Sequence, residues 1–240
     1  MRTIDILEYI AARPTGVVAQ EIAAGLAIPV SSLSYLLATL VERDYLTRDG
    51  RRYLPGNALG RLAAPRTSLS LADRARPFVK TLRRYVNETA SFFIQDLWQL
   101  EAVVTETAEQ SLQYSIAVGA RSPLHCLAAG KAILATLPPA DLDAFFAAAP
   151  LAAFTPSTIT DEAALRAELD DVRESGVGRT NGEYTAGIRG LGMAATVGGT
   201  VRGAFAVAIP LPRFTPATET RAIDALTQAV ARFTADVAND

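Results

Sequence analysis

Residues 18–54 hold two short amphipathic stretches joined by a tight turn and followed at once by a hairpin, an order that few folds accommodate. Gln20-Glu21-Ile22-Ala23-Ala24 reads as a short helix with Val18, Ile22 and Leu26 on one face. Gly25-Leu26-Ala27-Ile28 reads as the turn, with Gly25 leaving the helix in a left-handed conformation. Pro29 opens the next helix, where its missing N–H costs nothing, and that helix extends to Glu42. Val30, Leu33, Leu37, Leu40 and Val41 are expected inside, with Ser31, Ser32, Ser34, Tyr35 and Ala38 outside. Tyr45–Arg48 and Arg51–Leu54 then pair across a two-residue Asp49-Gly50 turn. The arrangement predicts a winged helix-turn-helix. Its small polar helix face (Ser31, Ser32, Ser34, Tyr35) suits a major groove, and Arg48, Arg51 and Arg52 on the hairpin suit adjacent phosphates of double-stranded DNA. The same geometry also serves protein contacts. The Gly turn, the Pro-started helix and the Arg-tipped hairpin together favour DNA.

The charge distribution points the same way. Residues 1–86 carry 13 Arg and Lys against 7 Asp and Glu, and the remainder carries 10 against 18, although the whole chain is near −2. A basic front and an acidic back suit one part near phosphate and another kept away from it. The chain has 240 residues, half of them apolar, enough for two domains. The apolar run from Leu142 to Phe154 is broken by Asp143 and Pro150, so no membrane span is expected. Met1-Arg2-Thr3-Ile4-Asp5 leads straight into an amphipathic pattern without a secretory signal. The one cysteine, Cys126, excludes an internal disulfide and suggests a reducing, cytoplasmic setting. With one histidine, His125, no His/Cys metal site is expected, and no cofactor motif is present.

We read residues 1–60 as the DNA-binding domain, 61–86 as a basic linker helix and 87–240 as a second domain. In the linker, Leu71, Ala75, Phe78, Val79 and Leu82 form an apolar stripe beside Arg74, Arg76, Lys80, Arg83 and Arg84. A short helical turn at 58–62, stopped by Pro65, is expected before it. In the second domain, strands are expected at Thr89–Trp98, Ala102–Thr107, Tyr114–Val118, Val177–Asn181, Ile188–Val197 and Thr200–Ile209. Helices are expected at Leu124–Leu137, Asp141–Ala149, from an N-cap at Thr160 to Ser175, and from Thr215-Pro216 to Val237. Hairpins with helices between them make the domain α+β with a mostly antiparallel sheet.

Five segments carry a family resemblance: Gly119-Ala-Arg-Ser-Pro-Leu-His-Cys-Leu-Ala-Ala-Gly-Lys-Ala-Ile-Leu-Ala-Thr-Leu-Pro138, Thr158-Ile-Thr-Asp161, Glu168-Leu-Asp-Asp-Val-Arg-Glu-Ser-Gly176, Glu183-Tyr-Thr-Ala-Gly-Ile-Arg189 and Leu26-Ala-Ile-Pro-Val-Ser-Ser32. Over essentially its whole length the chain resembles the IclR family of bacterial transcriptional regulators. The resemblance implies a winged helix, a linker helix and a GAF-like effector-binding domain. It also implies a homodimer that can pair into a homotetramer, and a small organic effector that alters operator binding. Three departures stand out. Pro29–Val41 has no charge where family recognition helices usually carry a base. The chain starts almost at its first helix. The family's polar pocket positions are taken by Thr180, Gly190, Val207 and Ile209. A less polar pocket with room beside Gly190 is therefore expected, lined by Tyr114, Ala128, Ala129, Thr180, Ile188, Gly190, Val207 and Ile209. Such a pocket favours an aromatic or otherwise apolar effector of a catabolic pathway, whose carboxylate would meet the N–H groups of Ala128 and Ala129. The rival reading of Ala128-Ala129-Gly130 is close helix–sheet packing.

His125 and Cys126 are adjacent, which suggests a nucleophile and its base, but neighbours on a helix point apart. A structural His125 and a small buried Cys126 are expected instead, with no catalysis. Lys131 reads equally as a ligand cation or a helix anchor. The competing functions are a small-molecule enzyme with a helical appendage and a protein-interaction adaptor. The chain shows no acid/base set for the first.

Overall fold

The computed structural model describes residues 2–13, 16–56, 58 and 69–238, with the backbone alone at 2 and 31. The chain divides into two compact units, Met1–Ser68 and Leu69–Asp240. The expected turn at 58–62, Pro65, and Arg61 and Arg66 of the linker stretch fall outside the described residues apart from Ala58.

The first unit runs α1 (Arg2–Ala11), β1 (Val17–Val18), α2 (Ala19–Leu26), α3 (Val30–Glu42), β2 (Leu46–Asp49) and β3 (Arg52–Pro55). The strands form an antiparallel sheet in the order β1-β3-β2. Ile6 and Ile10 of α1, Ile22 of α2, Leu33 and Leu37 of α3 and Leu46 of β2 close its core. Each such side chain contributes about 1.5–3 kcal/mol by leaving water. At the start of α2 the Val18 N–H donates to the Glu21 carboxylate at 2.9 Å, which satisfies one free amide of that helix end.

Three local expectations are corrected here. Ala27 (φ 51°), not Gly25, takes the left-handed position after α2. Gly25 stays helical, and its missing side chain makes room for the Tyr9 ring, which a Cβ there would approach to 2.4 Å. Val30, at the first position of α3, is 54 % exposed, so the inward stripe begins at Leu33. The hairpin turn is Gly50–Arg51, one residue later than expected: Asp49 still pairs with Arg52, and Gly50 takes the positive φ (57°).

The second unit opens with α4 (Leu71–Val86), capped by Ser70, whose hydroxyl accepts from the Asp73 N–H, and closed by Asn87 at φ 59°. It continues with β4 (Thr89–Asp96), β5 (Gln99–Glu106), β6 (Arg121–Pro123), α5 (Ala128–Leu134), α6 (Pro139–Ala148), α7 (Glu162–Ser175), β7 (Gly178–Asn181), β8 (Ile188–Val197), β9 (Thr200–Pro210) and α8 (Pro216–Ala238). One six-stranded antiparallel sheet results, in the order β6-β5-β4-β9-β8-β7. Chain-adjacent hairpins β4–β5 and β8–β9 meet at the centre, where β4 pairs with β9.

Strand alternation gives the sheet two different faces. Ala90 and Phe92 of β4, Leu191 of β8, and Phe205, Val207 and Ile209 of β9 pack with Val79 and Leu82 of α4 and Leu226 and Phe233 of α8. Phe92, Phe205 and Phe233 stack there with centroids 4.7–5.4 Å apart. The opposite face packs Phe93, Leu100 and Ala204 against Ile133 of α5, Phe145 of α6 and Leu165 and Leu169 of α7.

Tyr114–Val118 is not the strand its residues suggested. The Tyr114 carbonyl accepts from the Thr89 hydroxyl at 2.5 Å, so a side chain occupies it instead of a ladder partner. Pairing resumes only at β6, on β5. The helix expected over 124–137 is the seven-residue α5. Leu124, His125 and Cys126 precede it as a buried non-helical segment, folded so closely that a Cβ on Gly130 would meet the Leu124 carbonyl at 2.0 Å. The N-cap of α7 is Asp161 rather than Thr160; its carboxylate accepts from the Ala164 N–H at 2.8 Å.

Candidate functional site

Each unit carries one candidate surface. In the first, Ser32, Ser34, Tyr35 and Ala38 stand out from α3, with Tyr35 76 % exposed. The side chain of Ser31 lies outside the described residues. The Ser34 hydroxyl donates back to the Val30 carbonyl at 2.9 Å, so its oxygen faces outward chiefly as an acceptor. The three wing arginines differ. Arg48 donates through Nε to Gly50 O at 2.9 Å and lies 5.8 Å from the Tyr53 ring centroid. Arg52 Nη1 donates to Gly16 O at 2.7 Å and ties the wing to β1. Arg51, at the turn, makes no hydrogen bond among the described residues and is exposed.

In the second unit a cavity of about 50 Å³ lies between the start of α5 and the sheet. It brings together Tyr114, Ala128, Ala129, Thr180, Ile188, Gly190 and Val207. Ile209 is not among its walls: its side chain lies in the core on the α4 and α8 face, and the Val207 side chain packs there too. The strand residues turned toward the cavity are Ala206 and Ala208 of β9 and Thr89, Ser91 and Phe93 of β4. Phe93 also packs in the core with Leu100 and Ile133. Period-two alternation could have found Ser91 and Phe93, but β9 is apolar on both faces and hides its phase.

The room expected beside Gly190 is absent. A Cβ there would stand 2.5 Å from Thr180 Oγ1 and 3.2 Å from Ala128 Cβ. Gly178 is tighter still, since a Cβ there would meet the Ala128 carbonyl at 2.2 Å, and a Cβ on Gly192 would meet backbone too, the Ala129 nitrogen at 2.6 Å. The small residues on both sides thus serve close backbone packing of α5 against β7 and β8.

Beneath this contact lies a charge cluster that local sequence does not reveal. Lys131 is fully buried, and its Nζ donates to Glu168 Oε1 and Glu183 Oε1, both at 2.7 Å. Lys131 is therefore a helix anchor. Burial raises the Glu183 carboxyl above its ordinary range, against the pull of Lys131. Burial likewise raises the Tyr114 hydroxyl, against the pull of the Thr185 side chain.

The His125–Cys126 pair is built for packing. His125 is buried, and Nε2 lies 3.0 Å from the Ala152 carbonyl, which can only accept, so Nε2 carries the proton. Burial pulls its pKa below the ordinary value and keeps the ring neutral. Burial, followed by the Glu183 charge, pushes the Cys126 thiol up to about 12. A thiol that is protonated at neutral pH is a poor nucleophile. Among the described residues no three of His, Cys, Asp or Glu cluster so as to hold a metal ion, and no helix is long and apolar enough to cross a membrane.

Comparison with known proteins matches both units. Residues 1–50 match the IclR helix-turn-helix domain, and residues 64–235 match the bacterial transcriptional regulator IclR C-terminal domain. The chain is 34 % identical over 217 residues to HTH-type transcriptional regulator Rv1719 of Mycobacterium tuberculosis, covering 88 % of this chain and 81 % of that one. It shares 26 % identity and a TM-score of 0.73 with a solved IclR transcriptional regulator from Silicibacter sp. TM1040, over 99 % of this chain and 95 % of that one. An IclR homologue from Microbacterium hydrocarbonoxydans, solved with 4-hydroxybenzoate, has the same fold at 22 % identity and a TM-score of 0.68, over 100 % and 98 % of the two chains. A DNA-binding helix-turn-helix unit followed by an antiparallel-sheet unit, each matched by its own family model, places this chain in the IclR family of bacterial transcriptional regulators.

Proposed function

We propose that this regulator binds a near-palindromic operator as a homodimer, which can pair further into a tetramer, and that a small apolar effector in the second unit's cavity changes its operator affinity. Ser31, Ser32, Ser34 and Tyr35 would reach base edges, while Arg48, Arg51 and Arg52 would lie along phosphates. A two-fold dimer presents two recognition helices about one helical turn or a multiple apart. The chain would act in the cytoplasm without catalysis, on genes for breakdown of an aromatic or related apolar compound.

The observation that carries the effector reading is the position of the cavity. Its walls are the start of α5 and strands β4, β7, β8 and β9; on the opposite face β4 and β9 touch α4, while β8 and β9 carry α8. A cavity of about 50 Å³ is smaller than the roughly 300 Å³ typical of ligand pockets. Entry of an effector would therefore have to part α5 from the sheet. An effector shifts an equilibrium only if it favours one of the two arrangements. A tenfold change in operator affinity needs only about 1.4 kcal/mol of such preference.

Electrophoretic mobility shift with the gene's own upstream DNA, with and without added small molecules, tests this. The first additives are 4-hydroxybenzoate (the molecule bound by the Microbacterium protein) and, as hydrophilic contrast, pyruvate and glyoxylate. A shift that responds to the aromatic compound and not to the short acids supports the reading. A response to the short acids alone would overturn the apolar assignment, and absence of any shift would overturn the operator.

A further inference from the structure

One residue of the cavity wall carries a buried polar atom without a hydrogen-bond partner among the described residues. Glu183 is only 6 % exposed, and of the Lys131–Glu168–Glu183 cluster it alone lines the cavity. Its Oε1 accepts from Lys131 Nζ at 2.7 Å. Its Oε2 is buried and accepts no hydrogen bond among the described residues. Buried acceptors are nearly always paired, because leaving water without a donor is costly.

The surroundings relieve it poorly: the Asn181 backbone N–H acts on the Glu183 carboxylate, but without a well-formed hydrogen bond to Oε2. Lys131 already divides its ammonium between two carboxylates, so the cluster has more acceptor capacity than charge to satisfy it. The nearby Thr155 and Thr158 hydroxyls donate to backbone carbonyls instead, Thr158 to Glu183 O at 2.6 Å and Thr155 to Gly182 O at 2.6 Å. Those bonds fix the Glu183 backbone, and Lys131 fixes one oxygen of its carboxylate. The second oxygen belongs to a wall residue of a cavity whose other walls are mostly apolar.

We propose that Glu183 Oε2 is the polar anchor for the effector, and that the cavity selects molecules presenting an O–H or N–H donor over near-isosteres that lack one. This rests on reading the cavity as the effector site. It also moves the effector's decisive polar contact from the backbone N–H groups at Ala128 and Ala129 to a side chain 52 residues from Lys131 in sequence. A site built to pair a ligand donor rejects the analogue without it, because the buried acceptor is then stranded.

The test uses the full-length protein and two matched probe sets: phenol, aniline and fluorobenzene, then 4-hydroxybenzoate, 4-aminobenzoate and 4-fluorobenzoate. Binding is followed by NMR, with the backbone amides of Ala129 and Gly190 as reporters. The hydroxyl and amino probes should bind about tenfold or more tightly than their fluoro partners. Glu183→Gln keeps an oxygen for Lys131 and puts an N–H donor where Oε2 stands, so the preference should vanish or reverse. Should that variant fold poorly, the wild-type comparison within each set decides alone. Equal binding of donor and fluoro probes to the wild type would overturn the anchor while leaving the effector cavity intact. An unchanged preference in a folded Glu183→Gln protein would also overturn it, since another acceptor would then be responsible. If none of the probes perturbs the two amides, the effector reading of this cavity falls, and the anchor with it.

Discussion

A methyl group on Gly178 would stand 2.2 Å from the carbonyl oxygen of Ala128, so edge strand β7 and the start of α5 are in backbone contact. Gly178→Ala should therefore push the two apart and cost roughly 1–3 kcal/mol, as overpacking against unyielding atoms does. Gly190→Ala should cost less, because the nearest atom is the Thr180 hydroxyl, which can rotate away. Thermal melting of the two variants checks the order; a Gly190→Ala protein less stable than Gly178→Ala would contradict it.

Removing Lys131 should be severe. Lys131→Met leaves Glu168 and Glu183 facing each other without their shared cation, and breaking a buried pair from one side costs about 3–5 kcal/mol. Adding Glu183→Gln should recover much of the loss, because one of the stranded charges disappears. Urea midpoints of the wild type, single and double variants give the comparison, and a double variant no better than Lys131→Met would show that packing rather than charge dominates.

The Cys126 thiol should resist alkylation. Its pKa stands near 12 against an ordinary value of 9.0, which lowers the reactive thiolate fraction about a thousandfold at pH 8. Iodoacetamide labelling followed by mass spectrometry should be slow in the native protein and fast in urea. Rapid native labelling would mean that the segment around Cys126 opens readily.

His125 sets a pH dependence with a definite sign. Burial holds its pKa below the ordinary 6.5. Between the lowered value and 6.5 the unfolded chain binds more protons than the native one, so stability rises with pH through that window and is lost as pH falls below about 6.5. The melting temperature should drop from pH 7.5 to 5.5 more in the wild type than in His125→Asn. A steeper drop in the variant would reverse the assignment.

The wing arginines should separate into two kinds. Arg52→Ala loses the bond to Gly16 O and should cost about 1 kcal/mol of stability in the first unit. Arg51→Ala should leave stability unchanged and lower the salt slope of DNA binding by about one. Melting curves and mobility shifts at several salt concentrations distinguish them; an unchanged slope in Arg51→Ala would remove that residue from the phosphate contact.

Much of the architecture was legible because local chemistry and tertiary packing agree. Hydrophobic spacing marked α2, α3 and α4, and the strands expected at Ile188–Val197 and Thr200–Ile209 form the β8–β9 hairpin. Misreadings arose where a local pattern lacked its partner. Tyr114–Val118 has strand-like residues, but the Thr89 hydroxyl takes the Tyr114 carbonyl. Most of the cavity was legible from the resemblance, yet the inward phase of β9 was not, because Ala206, Val207, Ala208 and Ile209 are apolar alike. The Lys131 cluster joins residues 37 and 52 positions apart, beyond the reach of any periodicity argument.

The two-sided wiring of β9 has an evolutionary corollary. The side chains at 206 and 208 face the cavity, and those at 205, 207 and 209 pack in the core under α4 and α8. If the cavity is the effector site proposed above, one strand carries two interleaved alphabets, one spelling chemical taste and the other spelling mechanical attachment. Mutation could then rewrite the even letters while the odd ones stand, so a lineage built on this strand could change what it senses without relearning how to respond.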